Sequence, residues 1–113
     1  MSQQEICQIV HKHRDVSMSK IANWWEARQA TPQGEIILAK SAEFSPPWHE
    51  RGSLYSVVSS LGFGDRNDWN ILDERERAAN SQVVAQLLAE GWETAGVNDK
   101  GLITLMKRTS INR

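Results

Sequence analysis

Residues 87–108 constrain the fold more than any other stretch of this chain. Leu87-Leu88-Ala89-Glu90 closes an apolar helical repeat, Gly91 follows, and Trp92-Glu93 opens a β-prone run. Glycine just past a helix end takes the left-handed conformation that stops the helix, and an apolar residue after it packs back on the last turn. Asn98-Asp99-Lys100-Gly101 then separates Trp92–Val97 from Leu102–Arg108, which suits a type I turn with a left-handed glycine. A helix from about Ile71 to Glu90 and a β-hairpin behind it are therefore expected together. The helical repeat puts Leu72, Ala79, Val83, Val84, Leu87 and Leu88 on one stripe, and Asp73 and Glu76 offer capping-box chemistry near its start.

Upstream, Ile6, Ile9, Val10 and His13 recur at helical spacing in residues 3–14, and Met18, Ile21, Ala22 and Trp25 do so in 18–29. Asp15 or Ser17 is placed to cap the second segment. Thr31-Pro32-Gln33-Gly34 reads as a turn, because proline pre-sets its second position and glycine suits its last. Glu35–Ser41 and Leu54–Leu61 read as strands. Between them, Pro46-Pro47 removes two backbone donors, so residues 43–52 form an ordered loop or a mobile arm. Gly62–Asp68 is a loop. The expected fold is α+β in the order α-α-β-β-α-β-β. It has an antiparallel sheet of about four strands, the long helix on one face, and an N-terminal helical pair. A chain of 113 residues supports one such domain, with 1–30 as the helical pair and 31–113 as sheet plus long helix.

The second half of the chain resembles a family of small bacterial domains of unknown function. Their pattern is a strand, a helix ending in Leu-x-x-x-Gly-Trp-Glu, and a hairpin closing on Lys-Arg. The matching residues are Tyr55–Val58, Leu87–Glu93 and Met106-Lys107-Arg108, so the likeness covers residues 53–108. It implies a fold and brings no reaction with it.

Composition limits the function classes. Net charge is −1, so the broadly basic surface of a dedicated nucleic-acid binder is absent. The charge is uneven, with acids concentrated in residues 65–93 and a purely basic tail from Lys100 onward. Lys107 and Arg108 would guard an edge strand against aggregation. The single cysteine, Cys7, excludes an internal disulfide and fits a reducing compartment. No basic-then-apolar leader and no apolar run of about 20 residues is present, so a cytoplasmic location off the membrane is expected.

Four sets of residues carry possible chemistry. Cys7, His11 and His13 invite a metal, but on an intact helix His13 lies on the far side from Cys7, and a fourth ligand would have to be His49. His49-Glu50 offers an acid–base pair without an identifiable nucleophile. Gly62-Phe63-Gly64 sits where phosphate loops sit, yet Asp65 and Asp68 repel an anion. A helix-turn-helix would present Ser19, Lys20, Asn23 and Arg28 to bases, with Lys12 and Arg14 on phosphates. No catalytic set, metal or cofactor is expected from these.

The five tryptophans and the aromatic Pro-Pro loop favour recognition of another protein. The leading expectation is a non-enzymatic interaction or adaptor module using Trp24, Phe44, Trp48, His49 and Arg51, with self-association possible through its complementary charge patches. A DNA-binding regulator using Lys12, Arg14, Lys20, Asn23 and Arg28 is the alternative. A small hydrolase or metal-dependent enzyme comes third.

Overall fold

The computed structural model describes residues 2–17, 20–51, 58–63 and 66–111. Five strands, β1 (Ser2–Ser17), β2 (Lys20–Thr31), β3 (Gly34–Lys40), β4 (Glu93–Val97) and β5 (Ile103–Ile111), form one sheet. Its order is β3-β2-β1-β5-β4, antiparallel throughout. A 3-10 turn (Pro47–Arg51), a π-helical turn (Ser59–Phe63) and one long helix, α1 (Arg66–Ala89), separate β3 from β4.

The N-terminal helical pair does not exist: residues 2–17 and 20–31 are the two longest strands of the sheet. The helical spacing of Ile6, Ile9 and Val10 arises because the two faces of β1 are both partly apolar. Read with a period of two, Cys7 and Ile9 point to the core, whereas Ile6 points away and is 52% exposed. Trp25 and Ala27 follow the same alternation on β2. These segments are rich in isoleucine, valine and tryptophan, which suit a pleated, half-buried surface. The sheet therefore has five strands where about four were expected, and residues 1–30 supply its centre instead of a separate helical unit.

The expected strand over 54–61 lies partly outside the described residues, and its end, from Ser59, is helical turn. The helix begins at Arg66, five residues before its apolar repeat. Asp73 and Glu76 consequently lie inside it, and the acid of its first turn is the fully buried Asp68. Ala79, Val83 and Leu87 are buried against the sheet as expected, but Leu88 is exposed. α1 packs on β2 and β3 and is tied down by amide side chains. Gln86 Nε2 donates to the Lys40 carbonyl (3.0 Å), Gln82 Oε1 accepts from the Ala42 amide (2.9 Å), and Asn80 bonds both backbone groups of Ile103 (2.9 and 3.1 Å).

The helix end is built as its residues predict. Gly91 has φ +89°, its amide donates to Leu88 O (3.1 Å), and the Trp92 amide donates to Leu87 O (3.0 Å). This pair of bonds satisfies carbonyls that the helix itself leaves open. Trp92 is buried with Leu87, Met106 and Cys7. Arg108 lies 4.6 Å from the Trp92 ring, donates to Glu5 (2.7 Å) and reaches the Glu90 carbonyl (3.3 Å). Arg108 and Lys107 are thus not edge guards. They stand on β5, which is paired on both sides, and β4 is the edge. The hairpin turn also matches expectation: Gly101 has φ +78°, and Asn98 Oδ1 accepts from the Lys100 and Leu102 amides (2.9 and 3.0 Å).

A Cβ at Gly91 would meet only Arg108 Cδ at 4.0 Å, so the cost of Gly91→Ala is backbone strain and not a clash. The expected loss is about 1–2 kcal/mol, read as a lower urea midpoint with an unchanged slope. A midpoint equal to wild type would show that the left-handed residue does not hold this helix end.

Candidate functional site

β2 outruns β3, and this mismatch shapes the site. Where β3 stops at Lys40, the N-terminal half of β2 still has carbonyls and amides to satisfy. The chain after β3 supplies the partners. Ser41 bonds both backbone groups of Trp25 (Ser41 amide to Trp25 O, 2.8 Å; Trp25 amide to Ser41 Oγ, 2.9 Å). Phe44 exchanges two backbone bonds with Asn23 (2.8 Å each), and Ser45 Oγ donates to Ile21 O (3.2 Å). Pro46-Pro47 then ends any pairing, and the chain turns through the 3-10 turn toward the helix. Arg75 of α1 holds it there, donating to Ser45 O (2.7 Å) and pairing with Glu50 (3.3 Å). The Pro-Pro segment is a packed loop and not a mobile arm.

Under that loop, between the sheet and the first turns of α1, is a cleft of 240 Å³. β1 contributes His11, β2 contributes Ile21 and Asn23, the loop contributes Phe44, Trp48 and His49, and α1 contributes Trp69, Leu72 and Glu76. Trp48 is 3% exposed and packs on Trp69 with ring centroids 4.7 Å apart. Trp69 is 38% exposed and forms the rim with Ile21. His11 Nε2 donates to Asn23 Oδ1 (3.1 Å), and its ring lies 5.4 Å from Trp25 and 6.2 Å from Phe44. His49 is 8% exposed. Burial, and secondarily the charge of Lys20, push its pKa below the ordinary histidine value, so the imidazole is neutral at pH 7.

The expected partner-binding residues divide. Phe44, Trp48 and His49 converge on this cleft, and Arg51 ends the same 3-10 turn. Trp24 does not join them: it stands on the opposite face of the sheet, donates to Glu26 (2.7 Å) and lies 4.9 Å below the Lys40 ammonium. Arg28 pairs with Glu26 as well. Burial alone would raise the Glu26 pKa. The hydrogen bonds from Trp24 and Arg28 and the charges of Arg28 and Lys12 outweigh it and hold the carboxyl below its ordinary range.

The DNA-reading set loses its helix, because Lys12, Arg14, Lys20, Asn23 and Arg28 all lie on strands, and Ser19 is outside the described residues. Arg14 is bound to Glu43 (2.8 Å), Arg28 to Glu26 and Glu35, and Asn23 to His11. The metal reading also changes. On a strand Cys7, His11 and His13 share a face, but four residues of strand put Cys7 and His11 about 13 Å apart. Cys7 is buried beside Met106, with its thiol pKa raised by that burial. Among the described residues no three His, Cys, Asp or Glu side chains gather as a ligand set. His49 and Glu50 diverge, one buried in the cleft and the other exposed beside Arg75. Among the described residues no helix is long and apolar enough to cross a membrane.

Sequence alone does not bring the other lining residues to this cleft: His11 reads as a metal candidate, Ile21 and Leu72 as members of apolar helical stripes and Glu76 as a capping residue, and Trp69 is not singled out. The signal for Trp69 is its i, i+3 spacing to Leu72, which a helix beginning at Ile71 excludes and one beginning at Arg66 contains. No known protein family, curated protein or solved structure matches this chain, and the site is read from its own geometry.

Two of the shifted groups, His49 and Glu26, give separate pH windows. His49 has a depressed folded pKa, so the unfolded chain binds its proton first, and stability falls as pH drops below about 6.5. Glu26 contributes above the carboxylate range and loses that contribution only as pH falls through its depressed value. Urea midpoints between pH 8 and 5 should decline in wild type and decline less in His49→Gln. Equal slopes would show that His49 is not held neutral by the fold.

Proposed function

We propose that this chain is a non-enzymatic protein-binding module whose recognition site is the cleft beneath the Pro-Pro loop. The observation that carries the reading is the convergence of Phe44, Trp48, His49 and the half-exposed Trp69 from separate elements on one concavity. Aromatic rings in such a setting supply large contact area at low entropic cost and dominate binding hot spots. A volume of 240 Å³ admits one large side chain of a partner, the usual form of an anchor residue. Catalysis is less well supported. The lining holds two imidazoles and one carboxylate, and among the described residues none of its side chains is a serine, threonine or cysteine nucleophile. DNA recognition has lost the helix it required, and two of its basic residues, Arg14 and Arg28, are already paired with acids.

Trp48 is unsuited to testing this reading, because Trp48→Ala would empty a buried site at a cost of about 3–5 kcal/mol. Trp69 on the rim is suited. Peptides selected from a random display library on the wild-type chain should carry an aromatic or branched apolar anchor. Trp69→Ala should keep its circular dichroism and bind those peptides at least tenfold more weakly. Equal binding by both proteins would place recognition elsewhere.

A further inference from the structure

The two edges of the sheet are built differently. β4 is short and irregular, with register shifts on both sides of Gly96, and short, bulged edges resist pairing with another chain. β3 has less protection. Among the described residues it pairs only with β2, and its centre is Ile36-Ile37-Leu38. Ile36 is 46% and Ile37 57% exposed. The charged residues of β3, Glu35 and Lys40, stand near its two ends.

One register shift decides what this edge can pair with. Ile37 faces Arg28 and Ala39 faces Ala27, so Leu38 is an extra residue in the strand. In a regular strand, residues five apart stand on opposite faces. Here the extra residue brings Glu35 and Lys40 to one face: they lie opposite Ala30 and Glu26, on the side of the sheet that carries Trp24. Ile36 and Ala39, opposite Gln29 and Ala27, share the other face. The strand is thus self-complementary about Leu38. A two-fold axis between Ile37 and Leu38 would set β3 antiparallel to its own copy, with Glu35 opposite the second copy's Lys40 at both ends and Ile36 opposite Ala39. Both charges are accessible. The Glu35 side chain is 58% exposed with Arg28 at 3.4 Å, and Lys40 lies over the Trp24 ring without an ion pair among the described residues. The Lys40 carbonyl already accepts from Gln86 (3.0 Å) and keeps a second lone pair for a ladder bond.

We propose that β3 pairs with β3 of a second copy of this chain, antiparallel across a two-fold axis, joining two five-stranded sheets into one of ten strands. The pairing covers the exposed Ile36-Ile37 edge and continues the open face as a row of alternating sign, Glu26, Lys40 and the second copy's Glu35. β3 contributes nothing to the lining of the cleft, so this surface is separate from the recognition site and does not depend on it.

Sedimentation equilibrium of the full chain over a concentration series tests the pairing. The wild-type mass should rise from 12.8 kDa toward twice that value. Glu35→Lys and Lys40→Glu each set like charges opposite one another at both ends of the interface, and each should weaken association about tenfold while leaving the circular dichroism unchanged. An equimolar mixture of the two variants restores an opposite-charge contact at both ends, and it should associate as tightly as wild type. Should either variant fail to fold, hydrogen exchange of the wild-type chain decides: the amides of residues 35–40 should exchange more slowly as concentration rises. A mass fixed at 12.8 kDa, association that both variants leave unchanged, a mixture no tighter than its components, or exchange at residues 35–40 independent of concentration would overturn the proposal.

Discussion

The pairing of β1 with β2 on one side and β5 on the other sets the position of every other part. Its register joins Cys7 to Met106, Ile9 to Ala27 and His11 to Trp25. Because strand side chains alternate with a period of two, a slip of one residue would turn Ile6 and Val10 inward and put Cys7 and Ile9 in solvent. The burial of Cys7, Ile9, Ala27 and Met106 beneath α1 is what makes that slip costly. Once the register is fixed, His11 and Asn23 must face the helix side, at the end of the sheet where β3 no longer runs. The cleft is a consequence of the same ladder that builds the core.

The two ends of α1 then play different parts. Its C-terminal end is locked by Gly91, Trp92 and the arginine that spans Trp92, Glu5 and Glu90. Three polar side chains, Asn80, Gln82 and Gln86, fix its middle to backbone groups on both halves of the sheet. Among the described residues, its start packs on the 3-10 turn of the loop that replaces β3 along β2. Trp69, Leu72 and Glu76 therefore line a gap instead of a closed core. Rigid support on one end and irregular backbone on the other is the usual division between scaffold and site.

What could be read from residues alone follows how local the determining forces are. The helix end, the Asn98–Gly101 turn and the Thr31–Gly34 turn are set by glycine and asparagine chemistry within a few positions, and each stands where those residues predict. β1 and β2 are set by partners far away in the chain, Met106 for Cys7 and Trp25 for His11, and no local rule sees those. Apolar residues on both faces of β1 produced a false helical period, and the fold class was misread there. The loop residues Phe44, Trp48 and His49 were legible because prolines and aromatics mark them. Their companions on β1, β2 and α1 were not, since only the sheet register and the true helix start bring them alongside.

The open face of the sheet offers a contrast that bears on where a partner docks. There Glu26 is buried between Trp24 and Arg28, with Lys12 and Lys40 close by, and each polar group already has a counterpart. A partner covering this surface would have to desolvate a matched set of charges, and the gain from burying Ile6 or Ile37 would be set against that penalty. An ionic cluster of this kind also discourages face-to-face association of an uncovered sheet. The cleft is the reverse case. Its lining is largely apolar and aromatic, with Phe44, Trp48 and Trp69 as its rings and Glu76 as its one carboxylate. A surface whose polar groups are already satisfied gains little from a partner, whereas a concavity walled by aromatic rings offers contact area with little charge to desolvate. On the proposed reading a partner would dock where the backbone is least regular, at the end of β2 that β3 leaves uncovered.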